Sequence, residues 1–249
     1  MSRVSRAFRW SGRIVKFLFF CIIFGVIALL LWRVFSSDDP ESMERLTVNE
    51  PLALAYEEAG DDLYLFRQEQ RSVTSGEKNY GYFSVTDAIF IPSANQIQIV
   101  VRYNNSTLRS LTEDKGLAEV PDRNEDLFDV TLSVATDLTP ENEEDNFGNS
   151  EKSVAFTRVH ATDVTSDTKN LYNYRRFVFD LGTAGVDLSA LMEEELLLAV
   201  YTDIYYVGDL NYDEPAYGTL CLYDYKTEIA DVRLSKEDAA ALRDYLAGR

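Results

Sequence analysis

Hydrophobic residues follow two different patterns on either side of residue 35. Residues 17–32 read FLFFCIIFGVIALLLW and contain neither a charged residue nor a proline. Sixteen helical residues span roughly 24 Å, and the apolar residues on both flanks extend the run to about 22 residues, or roughly 33 Å. Because the hydrocarbon core of a bilayer is about 30 Å thick, the pattern predicts one transmembrane helix over residues 14–35.

Both ends of the predicted span carry residues suited to a membrane interface. Lys16 and Arg33 lie where long side chains can reach the lipid headgroups. Phe17 and Trp32 are the first and last residues of the apolar run, and Trp10 lies seven residues before its start. Tryptophan is enriched at both membrane–water interfaces. We therefore expect Lys16, Phe17, Trp32 and Arg33 to mark the limits of the membrane anchor.

A cleaved signal peptide is the main alternative for this segment. The basic N-terminus fits it, and Val34-Phe35-Ser36 offers residues small enough for a cleavage site. Against it, the apolar region is longer than usual, Arg33 precedes the site, and no Ala-x-Ala sequence follows. A buried core helix would need polar residues along one face, and the stretch has none.

The charge distribution predicts an orientation. Six of the 24 basic side chains lie in residues 1–35, where there is no acidic one. Residues 36–249 therefore carry 18 basic and 42 acidic side chains, a formal net charge of −24. Positive charge is retained on the cytoplasmic side, so we expect residues 1–13 in the cytoplasm and the acidic domain outside. Such a domain should not bind nucleic acid.

Beyond residue 62 the hydrophobic residues no longer follow helical spacing. They recur at every second position, as in β-strands. The clearest hairpin joins 79–92 to 96–103, with Ile97, Ile99 and Val101 on one face and a bulge expected at 86–88. Further strands are predicted at 63–66, 107–111, 127–136, 153–162, 173–181, 196–207, 217–227 and 228–234. Short strands without an alternating βαβ pattern predict an all-β antiparallel sandwich of the immunoglobulin-like or Greek-key type.

The remaining segments complete the predicted organisation. Residues 36–61 are polar and acidic, which is typical of a juxtamembrane linker, and 52–58 could form a short helix ended by Gly60. The sandwich is expected over residues 62–234. Ser235 begins a sequence that resembles a capping box, which predicts a C-terminal helix within 235–249.

Cysteine usage restricts the expected compartment. Cys21 lies in the predicted span and Cys221 far out in the domain, so we expect no disulfide. An exported domain without disulfides favours a bacterial cell surface over an animal extracellular protein. The sequence therefore predicts a single-pass protein of type II topology in the cytoplasmic membrane, with its C-terminal domain outside.

Tyrosines form the most distinctive candidate surface. Alternation places Tyr201 and Tyr205 on one strand face with Asp203, and Tyr206 on the other. The predicted binding surface consists of Tyr205, Tyr206, Tyr212, Tyr217, Tyr223 and Tyr225. Tyrosine binds partner proteins and glycans well. The alternative is a purely structural role in cross-strand pairs.

Other candidate chemistry is weak. His160 is the only histidine, so a histidine-based zinc site is excluded and no nucleophile is placed beside it. The acidic segments 141–146 and 209–214 could supply oxygen ligands to Ca²⁺ or could simply be solvated. The second begins like an EF-hand loop, but Glu214 and Leu220 occupy the positions that need glycine and a bidentate glutamate.

These observations predict a non-enzymatic protein with no cofactor. We expect the bilayer to contact residues 14–35 and a membrane or envelope protein to bind the acidic domain. The alternative is a module that binds a glycan or Ca²⁺ through the tyrosine hairpin and the acidic loops. A hydrolase that uses paired carboxylates is a third possibility, since 42 acidic residues make chance pairs common. The sequence does not identify a small-molecule ligand.

Overall fold

The computed structural model describes residues 3–35, 39–72, 83–138, 156–188, 197–223 and 230–249. The chain divides into two compact units, Met1–Asp39 and Pro40–Arg249. The first unit contains helix α1 (Arg3–Phe35). The second contains four further described helices and ten described strands.

Helix α1 exposes large apolar side chains along its described part. Between residues 16 and 32 these include Phe17, Phe24, which is 72% exposed, and Trp32. Among the described residues, no helix meets the length and apolarity that define a membrane span. Helix α1 includes the predicted segment 14–35, so the helix itself is confirmed. Its assignment as a transmembrane segment is not confirmed.

The ten strands form two antiparallel sheets, which confirms the predicted β-sandwich class. The strands are β1 (Tyr64–Ser72), β2 (Ser84–Ile91), β3 (Gln96–Asn104), β4 (Phe128–Leu138), β5 (Thr157–His160), β6 (Asp163–Lys169), β7 (Tyr172–Asp180), β8 (Leu197–Tyr206), β9 (Gly218–Tyr223) and β10 (Ala230–Arg233). One sheet has the order β10-β1-β2-β3-β7-β6, and the other has the order β5-β4-β8-β9.

The core lies between the two sheets, and its side chains follow the predicted alternation. From the six-stranded sheet it receives Phe90, Ile97 and Phe179, and from the four-stranded sheet Leu132 and Ile204, all of them buried. Cross-strand pairing shifts between Val85 and Asp87, which places a bulge within the predicted 86–88. Because a bulge moves one residue out of the ladder, Val85 and Ala88 both face the core.

Two predicted helices are confirmed, and both begin at a side-chain cap. Helix α3 (Glu50–Ala59) follows Asn49, whose Oδ1 accepts from the Leu52 amide, and it ends at Gly60, which has a φ of +62°. The C-terminal helix, α5 (Lys236–Ala247), follows Ser235, whose hydroxyl oxygen accepts from the Asp238 amide at 3.0 Å. A short helix, α2 (Glu41–Glu44), precedes α3.

The predicted strand at 107–111 is wrong, because helix α4 (Asn105–Lys115) occupies this segment. Asn104 and Thr107 form a reciprocal capping box at its start, and Gly116 ends it in the left-handed conformation. Leu108 and Leu111 are buried against the core. Local capping at both ends thus outweighs the strand preference of the short apolar run.

Strand β6 lies between the predicted strands 153–162 and 173–181, in a segment for which the sequence predicts no strand. It pairs with β7 along its whole length, and most of its side chains are exposed. An edge strand of this kind is held by backbone hydrogen bonds and needs no apolar face. Its sequence, DVTSDTK, therefore lacks the alternation by which strands are recognised.

Helices cover the outer face of the six-stranded sheet. Leu52 of α3 and Leu242 of α5 pack with Leu65, Ile89 and Ile91 in a second buried cluster. The region predicted as a linker also contributes to this layer, since α2 and α3 belong to it and Met43 is buried. The second unit therefore has three layers: helices, a six-stranded sheet and a four-stranded sheet.

Polar side chains fix residues 43–47 across β3 and β7. Gln98 donates from Nε2 to the Thr47 carbonyl at 2.9 Å, and its Oε1 accepts from the Thr47 amide at 2.8 Å. Arg176 is buried and donates to the Met43 carbonyl and to Gln98. The Asp238 carboxylate accepts from the Leu46 amide at 2.9 Å. Gln98 alternates with the inward-facing Ile97 and Ile99, and it is buried because residues 43–47 cover the outer face of β3 at this point.

Candidate functional site

The outer face of the four-stranded sheet has no helix packed on it within the described part of the chain. Strand pairing defines the residues of this surface, which we call the open face. They are Arg158 and His160 of β5, Asp129, Thr131 and Ser133 of β4, Tyr201, Asp203 and Tyr205 of β8, and Thr219 and Cys221 of β9. Phe156, just before β5, contacts Tyr201 at 5.6 Å between ring centres.

Tyr212 crosses this face from the loop between β8 and β9. Its hydroxyl donates to Oδ2 of Asp129 at 2.6 Å. Its ring makes edge contacts with Tyr205 at 5.1 Å and with His160 at 5.0 Å. These contacts bring together residues from three strands and one loop, so the loop is fixed on the sheet.

Arg158 lies over the same aromatic pair. Its guanidinium carbon is 5.0 Å from the centre of the Tyr212 ring and 5.8 Å from that of Tyr205. One terminal nitrogen donates to the Tyr212 carbonyl at 2.8 Å. Arg158 is exposed, so these cation–π contacts leave a positive charge at the surface.

Tyr212 remains a neutral hydrogen-bond donor at physiological pH. Burial, followed by the hydrogen bond to the Asp129 carboxylate, raises the pKa of Tyr212 to about 12. Burial, followed by the negative charge of Asp203, also raises the pKa of Tyr205. Neither phenol is suited to act as a base near neutral pH.

Asp203 occupies the centre of the open face and is held by two hydroxyls. Ser133 donates to Oδ2 at 2.6 Å and Thr219 donates to Oδ1 at 2.8 Å. Both oxygens therefore have a partner from a neighbouring strand. The aspartate links β4, β8 and β9 and presents a fixed negative charge beside Tyr201.

The predicted tyrosines separate into two groups. Tyr205 and Tyr212 lie together on the open face, and Tyr201 and Tyr205 share that face with Asp203 as alternation predicts. Tyr206, Tyr217 and Tyr223 pack against the core between the sheets. Tyr225 lies outside the described residues.

The structure gives the inward-facing tyrosines a packing role. The Tyr217 ring lies 6.0 Å from Phe83 and 6.4 Å from Phe128, and the Tyr223 ring lies 6.0 Å from Phe90. The phenol of Tyr217 also donates to Asp114 at 3.3 Å. These half-buried residues contribute to the core. Tyr205 lies on the other face of the sheet, where it is buried beneath the half-buried Tyr212 and the exposed Arg158.

Sequence reasoning missed the polar residues that complete the open face. Arg158 and His160 lie on β5, and Asp129 lies on β4, far from the tyrosines along the chain. Alternation alone places Asp129 and Ser133 on the solvent side of their strand. What it does not give is the pairing of β4 with both β5 and β8, which brings these residues together.

The acidic segments provide little support for a metal site. Within 209–214, Asp209 pairs with Lys115 at 2.6 Å, and Glu214 accepts from the Asn211 side chain at 3.2 Å. Across the described ranges, no three His, Cys, Asp or Glu side chains are grouped so that they could hold a metal ion. Residues 141–146 lie outside those ranges.

Comparisons with protein-family models, with curated proteins and with solved structures find no match to this chain.

Proposed function

We propose that this chain is a membrane-anchored interaction module that presents the open face to a partner protein outside the cytoplasmic membrane. One observation carries the proposal: helices cover the outer face of one sheet, while the outer face of the other keeps an accessible set of aromatic and charged residues. Phe156 is 48% exposed there, and Arg158 and His160 are also exposed. Aromatic residues and arginine are enriched at protein interfaces.

Helix α1 supports the membrane part of the proposal. Its described side chains include Phe17, Phe20 and Phe24, each more than two-thirds exposed. A continuous exposed apolar surface of this size requires a cover. The sequence adds basic residues near both ends of the run and no acidic residue before residue 38. A bilayer provides that cover, with the N-terminus inside.

Alkaline carbonate extraction of the full chain tests the anchor. The wild-type chain should remain in the membrane pellet. The double variant Ile23→Arg/Ile27→Arg should move to the supernatant, because each arginine costs about 3 kcal/mol at the centre of a span. Ile23→Leu/Ile27→Leu is the matched control and should stay in the pellet. Extraction of the wild-type chain, or retention of the arginine variant, would contradict the anchor.

A native gel in mild detergent tests the partner. The full chain, taken from the cells that produce it, should migrate in a complex larger than the chain alone. Phe156→Ser/Arg158→Glu should lose this complex, because both changes lie on the open face. Leu54→Ser/Arg109→Glu should keep it, because Leu54 and Arg109 are exposed elsewhere. Equal migration of the two variants would argue against the open face as the interface.

Glycan binding is the second candidate for the same face. The contact between Phe156 and Tyr201 places aromatic rings close to the fixed carboxylate of Asp203. Rings that pack on sugar C–H groups, beside a hydrogen-bond acceptor, are suited to bind a saccharide. A ligand that binds only the folded state raises the melting temperature, so a thermal-shift series with cell-wall sugars separates this candidate from the first.

We also propose the finer assignment of the sandwich to a Greek-key type. The strand order supports it, because β10 returns after a long connection to pair beside β1, next to the consecutive strands β1, β2 and β3. The spatial order resembles that of a Greek key, with β10 in the place that the fourth consecutive strand occupies there.

A further inference from the structure

Strand β6 is one edge of the six-stranded sheet. It has seven residues, whereas the edge strands β5 and β10 have four each and β9 has six. It pairs with β7 without a register shift from Asp163 to Lys169, and it contains no proline. None of its side chains is buried. Within the described part of the chain, β6 is therefore the longest and most exposed edge strand.

The outer side of β6 offers backbone hydrogen-bonding groups. In an antiparallel strand the N–H and C=O groups of every second residue point to the same side, so those of alternate residues point away from β7. No described strand lies beyond β6 in the sheet. A regular edge of this length is a template for another strand. The sequence of β6 indicates which strand fits it.

The charges of β6 match those of a second copy in antiparallel orientation. The strand begins with the acidic Asp163 and ends with the basic Lys169. When two copies overlap along their full length, Asp163 of each lies opposite Lys169 of the other, and Ser166 lies opposite itself. Opposite charges in cross-strand pairs stabilise an antiparallel ladder. An ammonium group has three donors, so contacts of Lys169 within its own chain do not prevent this pair.

The same charges disfavour the neighbouring registers. A two-fold axis requires one residue to lie opposite its own copy, so the two strands shift in steps of two residues. A shift in one direction places Asp163 opposite Asp167 of the other copy, and a shift in the other direction places Asp167 opposite itself. Like charges directly opposite each other are destabilising. Charged side chains commonly protect an edge strand from unspecific pairing, and here they leave the full-length register favourable.

Residue 42 lies on the helix-covered face beside this edge. The side chain of Ser42 donates to Asp167, and Met43 packs with Tyr174, which is paired with Asp167. A two-fold axis perpendicular to the sheet keeps each face on its own side, so residue 42 of both copies lies on the same side of the joined sheet. Two chains that start from one bilayer are therefore compatible with this pairing.

We propose that β6 is a dimerisation edge, at which two copies of this chain join their six-stranded sheets into one continuous antiparallel sheet. The two-fold axis passes between the two Ser166 residues, and Asp163 and Lys169 form an ion pair at each end of the joined strands. The strand is complementary in charge to itself, which is why the partner is a second copy. The open face belongs to the other sheet, so the dimer does not rest on the function proposed above.

Sedimentation equilibrium of the full chain in detergent tests the pairing by an exchange of charges. The wild-type chain should be dimeric at about 10 μM. Asp163→Lys places a like charge opposite Lys169 of the second copy and should raise the dissociation constant about tenfold or more. The exchanged variant Asp163→Lys/Lys169→Asp should return to within about threefold of the wild type. Within one chain the two residues are about 20 Å apart, so this recovery reports a contact between copies.

A matched control separates the ion pair from net charge. Glu119 is an exposed acidic residue outside β6. Glu119→Lys changes the net charge by the same amount as Asp163→Lys, and it should leave the dissociation constant as in the wild type.

Disulfide formation tests the register. In a chain with Cys21→Ala and Cys221→Ala, which lacks both native thiols, Ser166→Cys should form a disulfide between chains on mild oxidation. Opposite residues have Cα atoms about 4.5–5.5 Å apart, which suits a disulfide. Val164→Cys is the matched control, since Val164 is 44% exposed on the same strand. Its two copies would be about 14 Å apart along the strands, so this variant should stay reduced.

Three results would overturn the proposal. The first is that the wild-type chain stays monomeric up to about 100 μM, which would leave the edge to a strand of a different protein or to solvent. The second is that the exchanged variant dimerises no better than Asp163→Lys. The third is that positions 164 and 166 form disulfides equally well.

Discussion

The hydroxyl of Tyr212 lies 2.6 Å from Oδ2 of Asp129, and this contact fixes the loop between β8 and β9 on the open face. Tyr212→Phe removes the hydrogen bond and retains the ring contacts. Because the acceptor is a carboxylate, we expect the free energy of unfolding to fall by about 1.5 kcal/mol. Chemical denaturation of the full chain in detergent, followed by circular dichroism, measures this change.

Tyr245→Phe is the matched control for that experiment. Tyr245 is exposed near the end of α5, and its ring contacts Arg249. Its substitution should change the free energy of unfolding by less than about 0.5 kcal/mol. An equal effect of the two substitutions would mean that the contact between Tyr212 and Asp129 does not stabilise the fold.

Alkaline pH should weaken the same contact. The pKa of Tyr212 is about 12 in the folded protein, against an ordinary value of 10.0, so folding favours the neutral phenol. The stability that Tyr212 contributes is present below pH 10.0 and is lost as the pH rises to about 12. Nuclear magnetic resonance of ¹³C-labelled tyrosine, with Tyr212→Phe to assign the signal, measures the pKa. A midpoint near 10 would disprove the contact.

Two buried glutamines should respond in opposite ways to the same substitution. Gln98→Met leaves the amide and carbonyl of Thr47 without their partners, so we expect a loss of about 2 kcal/mol. Gln68 is buried, and within the described chain neither of its side-chain polar atoms has a hydrogen-bond partner. Gln68→Met should therefore be neutral or stabilising.

Hydrogen exchange of the Thr47 backbone amide distinguishes the variants Gln98→Met and Gln68→Met locally. Gln98→Met should increase the exchange rate of the Thr47 amide by about tenfold or more, because that amide donates to Gln98. Gln68→Met should leave the Thr47 rate unchanged. If both variants lost the same stability and the Thr47 amide stayed protected, Gln98 would not hold the segment on the sheet.

Much of the fold follows from local signals in the sequence. The inward residues Ile97, Ile99 and Val101 are predictable because β3 is a central strand with one apolar face. Helix α5 is predictable because Ser235 supplies a cap before a run of helix formers. In each case the signal lies within a few residues and does not depend on distant parts of the chain.

Burial of polar residues was not predictable in the same way. Gln98 and Arg176 have the spacing of solvent-facing residues, and they are buried because the backbone of 43–47 lies over them. A strand face needs polar side chains when water covers it, and equally when another backbone segment covers it and offers hydrogen bonds. The sequence pattern of the strand is the same in both cases. Only the tertiary structure distinguishes the two cases.

The candidate site was predictable in part for a related reason. Strand alternation separates Tyr205 from Tyr206, so their opposite faces follow from the sequence. Tyr212 lies in a loop, where no periodicity applies, and Arg158 reaches it only because β5 pairs with β4. The long-range strand order that assembles the open face has no local signal.

Photo-crosslinking of the full chain in intact cells tests the central claim most directly. A benzophenone amino acid at Phe156 probes the open face, and the same amino acid at Leu54 is the control. These positions are 48% and 46% exposed, so they differ in location and not in accessibility. We predict a discrete adduct of higher mass from position 156 and none from position 54. No adduct at 156, or the same adducts from both positions, would contradict the open face as the binding surface.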